Sequence, residues 1–115
     1  ILIHVVTDFL QEFSTTAEGL TIPNTTVVKI RTAIEEQAKT MMMKKLEQVQ
    51  KKKLNCEYII KVGDASSEII QYAEKNNIEL IVIGARGLGK FKQLILGSVS
   101  NKVVTNSHCP ILIIK

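Results

Sequence analysis

Tryptophan is absent from the 115-residue chain, and its few aromatic side chains are Phe9, Phe13, Tyr58, Tyr72 and Phe91. They build no stacking platform for single-stranded nucleic acid and no RNA-binding box, which argues against a nucleic-acid partner. Two cysteines, Cys56 and Cys109, are too few for a disulfide framework. Each borders a predicted strand, where a thiol serves as a small buried apolar group. His108 beside Cys109 lacks the spaced partners of a zinc site, and His4 falls within a predicted strand, so no metal site made of side chains alone is expected. No apolar run approaches the roughly 20 residues of a membrane span, and no secretory leader pattern is visible. The expectation is a cytoplasmic protein with no membrane partner.

Against these absences stand 45% hydrophobic and 23% charged residues with a net charge of +4, the composition of one folded domain spanning 1–115. Part of the positive excess is Lys51, Lys52 and Lys53, at the predicted end of a helix, where cations complement the helix dipole.

Apolar runs of strand length alternate with helical patterns. "ILIHVV" at the start reads as a strand suited to burial on both faces. A Thr-rich, aperiodic stretch over 7–26 reads as a long loop, and such loops are usually functional or disordered. Over 27–54, Ile30, Ile34, Ala38, Met41, Leu46 and Val49 recur at helical spacing. The triplet Met41, Met42, Met43 cannot share one helix face, so it reads as packing rather than a soft-metal site. "CEYIIKV" is the next strand, followed by a helix that Asp64 or Ser66 would cap, with Ile69, Ile70 and Ala73 as its buried stripe and Asn76-Asn77 at its end. "IELIVIG" is a third strand, a helix carrying Leu96, Val99 and Val103 follows, and "CPILIIK" closes the chain. This β-α-β-α-β-α-β order implies an α/β fold, a doubly wound parallel sheet with helices on both faces. Ligands in such folds bind beyond the carboxyl ends of strands.

The segment "IGARGLGKFKQLILGSVS" leaves such a strand end. Gly84, Gly89 and Lys90 imitate a Walker A element, but Phe91 stands where that element needs the hydroxyl that holds Mg²⁺. The dinucleotide fingerprint G-x-G-x-x-G fails in every register. A different spacing survives, with Gly84, Gly87, and then Gly97-Ser98. Gly84 clears the strand tip, Gly87 can take positive φ and expose its amide, and Gly97 and Ser98 stand at a helix start. Free amides there and the Ser98 hydroxyl would receive a phosphate, with Arg86, Lys90 and Lys92 supplying positive charge.

Gly84-x2-Gly87-x9-Gly97-Ser98, after "IELIVIG" and before "HCPILIIK", resembles the universal stress protein family, and within it the branch that binds ATP. "VGDASSEII" resembles the family's strand-to-helix turn, and the likeness runs over nearly the whole chain. The resemblance implies that Gly84, Gly87, Gly97 and Ser98 hold ribose and phosphates and that Val99 and Ser100 extend the phosphate-facing helix start. It further implies that Val5 lies against the adenine and that Ile83 lines the same pocket. ATP is the implied ligand, with Mg²⁺ or Mn²⁺ bridging its phosphates. The implied partner is a second copy of the chain, paired through the C-terminal strand Ile111–Lys115. Family sheets run in the order 3-2-1-4-5 and begin with a strand, bearing an acidic residue, and a helix; both are expected to be missing ahead of Ile1. Asp8 follows a different strand and does not match that acid.

The leading functional expectation is a nucleotide-dependent stress-response module with at most slow ATP hydrolysis, since no general base stands near the motif. One alternative is a nucleotide-using enzyme of a related α/β class, performing adenylyl transfer or pyrophosphate release. Another is a dimeric interaction protein whose glycines form only a turn.

Overall fold

Strands and helices alternate along the chain: β1 (Leu2–Val6), α1 (Asn24–Gln50), β2 (Tyr58–Val62), α2 (Ala65–Lys75), β3 (Ile81–Gly84), α3 (Ser98–Asn106) and β4 (Ile111–Ile114). The computed structural model describes residues 1–8, 23–85 and 96–115. They form two compact units, Ile1–Gly63 and Asp64–Lys115.

In the first unit β1 and β2 pair in parallel, with Leu2 opposite Tyr58 and Val6 opposite Val62. A parallel pair requires a crossover, and α1 supplies it, packing on both strands. Ala38 and Met42, four residues apart and so on one helical face, are its buried residues. Ile34, Leu46 and Val49 extend that stripe half-buried. The methionine triplet divides as helical geometry demands: Met42 is 3% exposed, whereas Met41 and Met43 are 37% and 49% exposed. Met42, not the expected Met41, therefore belongs to the stripe.

The helix starts at Asn24, earlier than its apolar pattern suggests, because the carbonyl of Pro23 accepts from the N–H groups of Thr26 (2.9 Å) and Val27 (3.2 Å). It also ends earlier, at Gln50. No basic residue lies in its last turn; Lys51–Lys53 form the turn beyond it, and Lys53 adopts φ 58°. Of the loop expected over 7–26, residues 9–22 lie outside the described residues. Asp8, just before them, is paired with Arg31 of α1 at 3.2 Å.

The second unit opens on a capped helix. Asp64 Oδ2 accepts from the Ser66 hydroxyl (2.7 Å), the Ser67 hydroxyl (2.8 Å) and the Ser67 N–H (3.0 Å). The Ser66 hydroxyl above all, then Ser67 and nearby Lys102, lower the Asp64 carboxyl from 3.8 to about 2. At its other end α2 closes in a Schellman motif: Ile78 N–H donates to Ala73 (2.9 Å) and Asn77 N–H to Glu74 (3.2 Å), with Asn77 at φ 50°. The motif turns Ile78 back onto the core, where it packs against Ala73, Ile81 and Val103. Val103, fully buried, is the centre of that core.

β3 and β4 pair in parallel, Ile81 opposite Ile111 and Gly84 opposite Ile114. Ile81 points inward while Val82 is 59% exposed, the alternation of a strand covered on one face. In β4, Leu112 and Ile114 are likewise half exposed. Contrary to the reading of "ILIHVV" as a strand buried on both faces, no residue of β1 is fully buried. Each pair has two strands among the described residues, and β1 is only half-buried along its length. Cys56 and Cys109 are also half-buried rather than buried, and Cys109 packs against the Val103 core.

Candidate functional site

The carboxyl end of β3 and the start of α3 are joined through one residue. Ala85, immediately after Gly84, donates its N–H to the Ile114 carbonyl at 2.7 Å. Its own carbonyl accepts the Gly97 N–H at 2.7 Å and the Ser100 hydroxyl at 3.0 Å. The start of α3 is thereby held at the tip of the β3–β4 pair, the strand end at which a parallel α/β fold receives ligands.

Gly97 is the N-cap of α3, at φ −59° and ψ 159°. Any residue can adopt these angles, so glycine serves here by lacking a side chain rather than by special backbone freedom. Among the described residues no side chain caps the helix, and its first turn holds no acidic residue. The first N–H groups of a helix have no partner within it, and here they coincide with the positive end of the dipole. Ser98 is exposed, Val99 is half-buried, and Ser100 is 2% exposed.

Gly84, Gly97, Ser98, Val99 and Ser100 thus lie around the Ala85 junction, with half-buried Ile83 one residue inside β3. Arg86 and Gly87 lie outside the described residues. Val5 belongs to the first unit, where it stands opposite Lys61 on β1 and lines an open groove of about 470 Å³ with Thr7, Ile34 and Met41. No three His, Cys, Asp or Glu side chains gather into a metal-holding group among the described residues. The residue that sequence reasoning passed over is Ala85. A lone alanine carries no chemical signature, and its role lies entirely in its peptide group.

Alternating helices and parallel strands define an α/β protein. The chain belongs to the universal stress protein family, whose sequence model matches residues 1–115. It is similar to universal stress protein YxiE of Bacillus subtilis, 29% identical over 99% of this chain and 77% of that protein. It is also similar to universal stress protein MJ0577 of Methanocaldococcus jannaschii, 29% identical over 76% of this chain and 54% of that protein. With universal stress protein Sll1388 of Synechocystis it shares 34% identity over 75% of its length and 58% of that protein's. Among solved structures, MJ0577 aligns with a TM-score of 0.80 at 25% identity, and PH0823 with 0.75 at 28%. Both alignments cover 99% of this chain and 73% of the other. These likenesses bear out the α/β fold.

Proposed function

We propose that this chain is an ATP-binding member of its family, a nucleotide-dependent stress-response module that changes state with its ligand and turns it over slowly at most. The observation that carries the reading is the uncapped start of α3, anchored at the carboxyl end of β3 with no acidic residue in its first turn. Such a helix start accepts phosphate through backbone N–H groups and its dipole. A capping carboxylate, as Asp64 provides for α2, would compete with that anion; α3 has none among the described residues.

In this reading Gly84 and Gly97 let the ligand approach the backbone, Ser98 donates its hydroxyl, and the N–H groups from Ser98 to Ser100 face the phosphates. Ile83 backs the pocket, and Arg86 and Gly87 are the further phosphate contacts that the sequence and the family resemblance imply. Mg²⁺ or Mn²⁺ would be carried on the phosphates. The whole of 1–115 acts as one nucleotide-binding domain of a cytoplasmic homodimer. The exposed apolar side chains of β4 support pairing through Ile111–Lys115. No helix among the described residues is long and apolar enough to cross a membrane.

Equilibrium dialysis of the full-length protein with radiolabelled ATP tests the reading. Saturable binding, displaced by unlabelled ATP, is expected; its absence at millimolar nucleotide refutes the proposal.

A further inference from the structure

We infer that Ser100 is a positioning residue of this site: its hydroxyl clasps the start of α3 to the tip of β3 and does not itself meet the phosphates. The inference rests on the ATP reading above. Ser100 is 2% exposed, and its Oγ lies 3.0 Å from both the Ala85 and the Gly97 carbonyl oxygens. A serine hydroxyl has one hydrogen, and both neighbours are acceptors, so that hydrogen is shared between them. A phosphate oxygen needs a donor, and this one is already committed. Ser98, two residues earlier and exposed, has no such engagement among the described residues.

The clasp acts on geometry. Ala85 is bound to Ile114 through its N–H and to Gly97 through its carbonyl, so it is anchored from both sides. Ser100 adds the bond that reaches into the first turn of α3 and sets the direction in which that turn presents its N–H groups. Its removal orphans neither carbonyl, because Ala85 keeps the Gly97 N–H at 2.7 Å and Gly97 keeps the Asn101 N–H at 2.9 Å. Folding therefore survives the loss, while the orientation of the helix start loosens.

The test compares Ser100→Ala, Ser100→Thr and Val103→Ala in the full-length protein, by calorimetric titration with ATP and by amide exchange at Gly97. Loss of the clasp should weaken ATP binding about fivefold to tenfold in Ser100→Ala, the worth of about one hydrogen bond. The Gly97 amide should exchange faster in the same variant without ligand. Ser100→Thr should restore both, because a helical threonine hydroxyl also reaches the carbonyl three residues back. Val103→Ala empties core volume one turn away; it should lower the melting temperature more than Ser100→Ala yet change affinity by less than about twofold. Unchanged affinity in Ser100→Ala overturns the inference alone, as does an equal loss in Val103→Ala. Failure of the wild-type protein to bind ATP overturns the reading of the site and the positioning role with it; the amide exchange then reports the clasp separately.

Discussion

The N–H of Gly97 meets the carbonyl of Ala85 at 2.7 Å, closing the chain on itself at the end of β3. Through this bond a glycine with ordinary dihedral angles becomes the N-cap of α3. Gly97→Ala should fold, at a cost under about 1 kcal/mol for the poorer cap. Its methyl group, placed where ligand approaches, should nevertheless reduce ATP affinity, and Gly97→Val should abolish it. Parallel melting curves and titrations check this. A valine variant that binds like wild type would place the ligand elsewhere.

Asp64 makes the protein acid-sensitive in a defined window. Its folded-state pKa is lowered from 3.8 to about 2, chiefly by the Ser66 hydroxyl. The folded state thus binds protons less readily than the unfolded one. The stabilisation is complete above the ordinary carboxyl value and disappears as pH falls from 3.8 toward 2. Asp64→Ala should lower the melting temperature at neutral pH and shrink the wild-type advantage through that interval. An NMR titration of the carboxyl carbon gives the pKa directly, and a value at or above 3.8 contradicts the cap.

Lys53, just past α1, holds φ 58°, a region costly for a side chain with a β-carbon. Lys53→Gly should stabilise the protein by about 0.5–1 kcal/mol, whereas Lys53→Val should destabilise it by a similar amount or more. Urea denaturation of the two variants distinguishes this backbone origin from an effect of charge, since both remove the lysine.

Leu112 of β4 is 50% exposed, so a polar replacement removes little from the core of its own unit. If β4 pairs with a second copy, Leu112→Lys should convert the dimer to monomer with the circular dichroism spectrum preserved. Light scattering after size exclusion reads the mass. A dimer that persists in this variant moves the interface away from β4.

How much of this was legible beforehand differs from element to element. The seven elements among the described residues follow from apolar runs and helical stripes, but their ends do not. α1 begins three residues before its first apolar residue because Pro23 offers a carbonyl to Thr26 and Val27, a bond that hydrophobic periodicity does not encode. Asn77 could be seen as a helix stop, yet the Schellman bond that returns Ile78 to the core appears only in three dimensions. In the site, the spacing of Gly84, Gly97 and Ser98 was readable because residue types carry it. The family resemblance implies a phosphate-facing place for Ser100 with its neighbours; the structure adds the engagement of its hydroxyl, and shows Ala85 as the junction.

The sequence by itself determined the α/β class, the order of elements and the family, because side-chain hydrophobicity and glycine spacing are properties of residue type. Only the tertiary structure decided which faces are covered, which methionine is buried, and what Ser100 and Ala85 hold. The first two depend on packing between elements, and the last on hydrogen bonds between residues distant in the chain, such as Ala85 with Ile114 and Ser100 with Ala85. A carbonyl's partner is chosen by the packing that brings it near, and no residue type announces that choice.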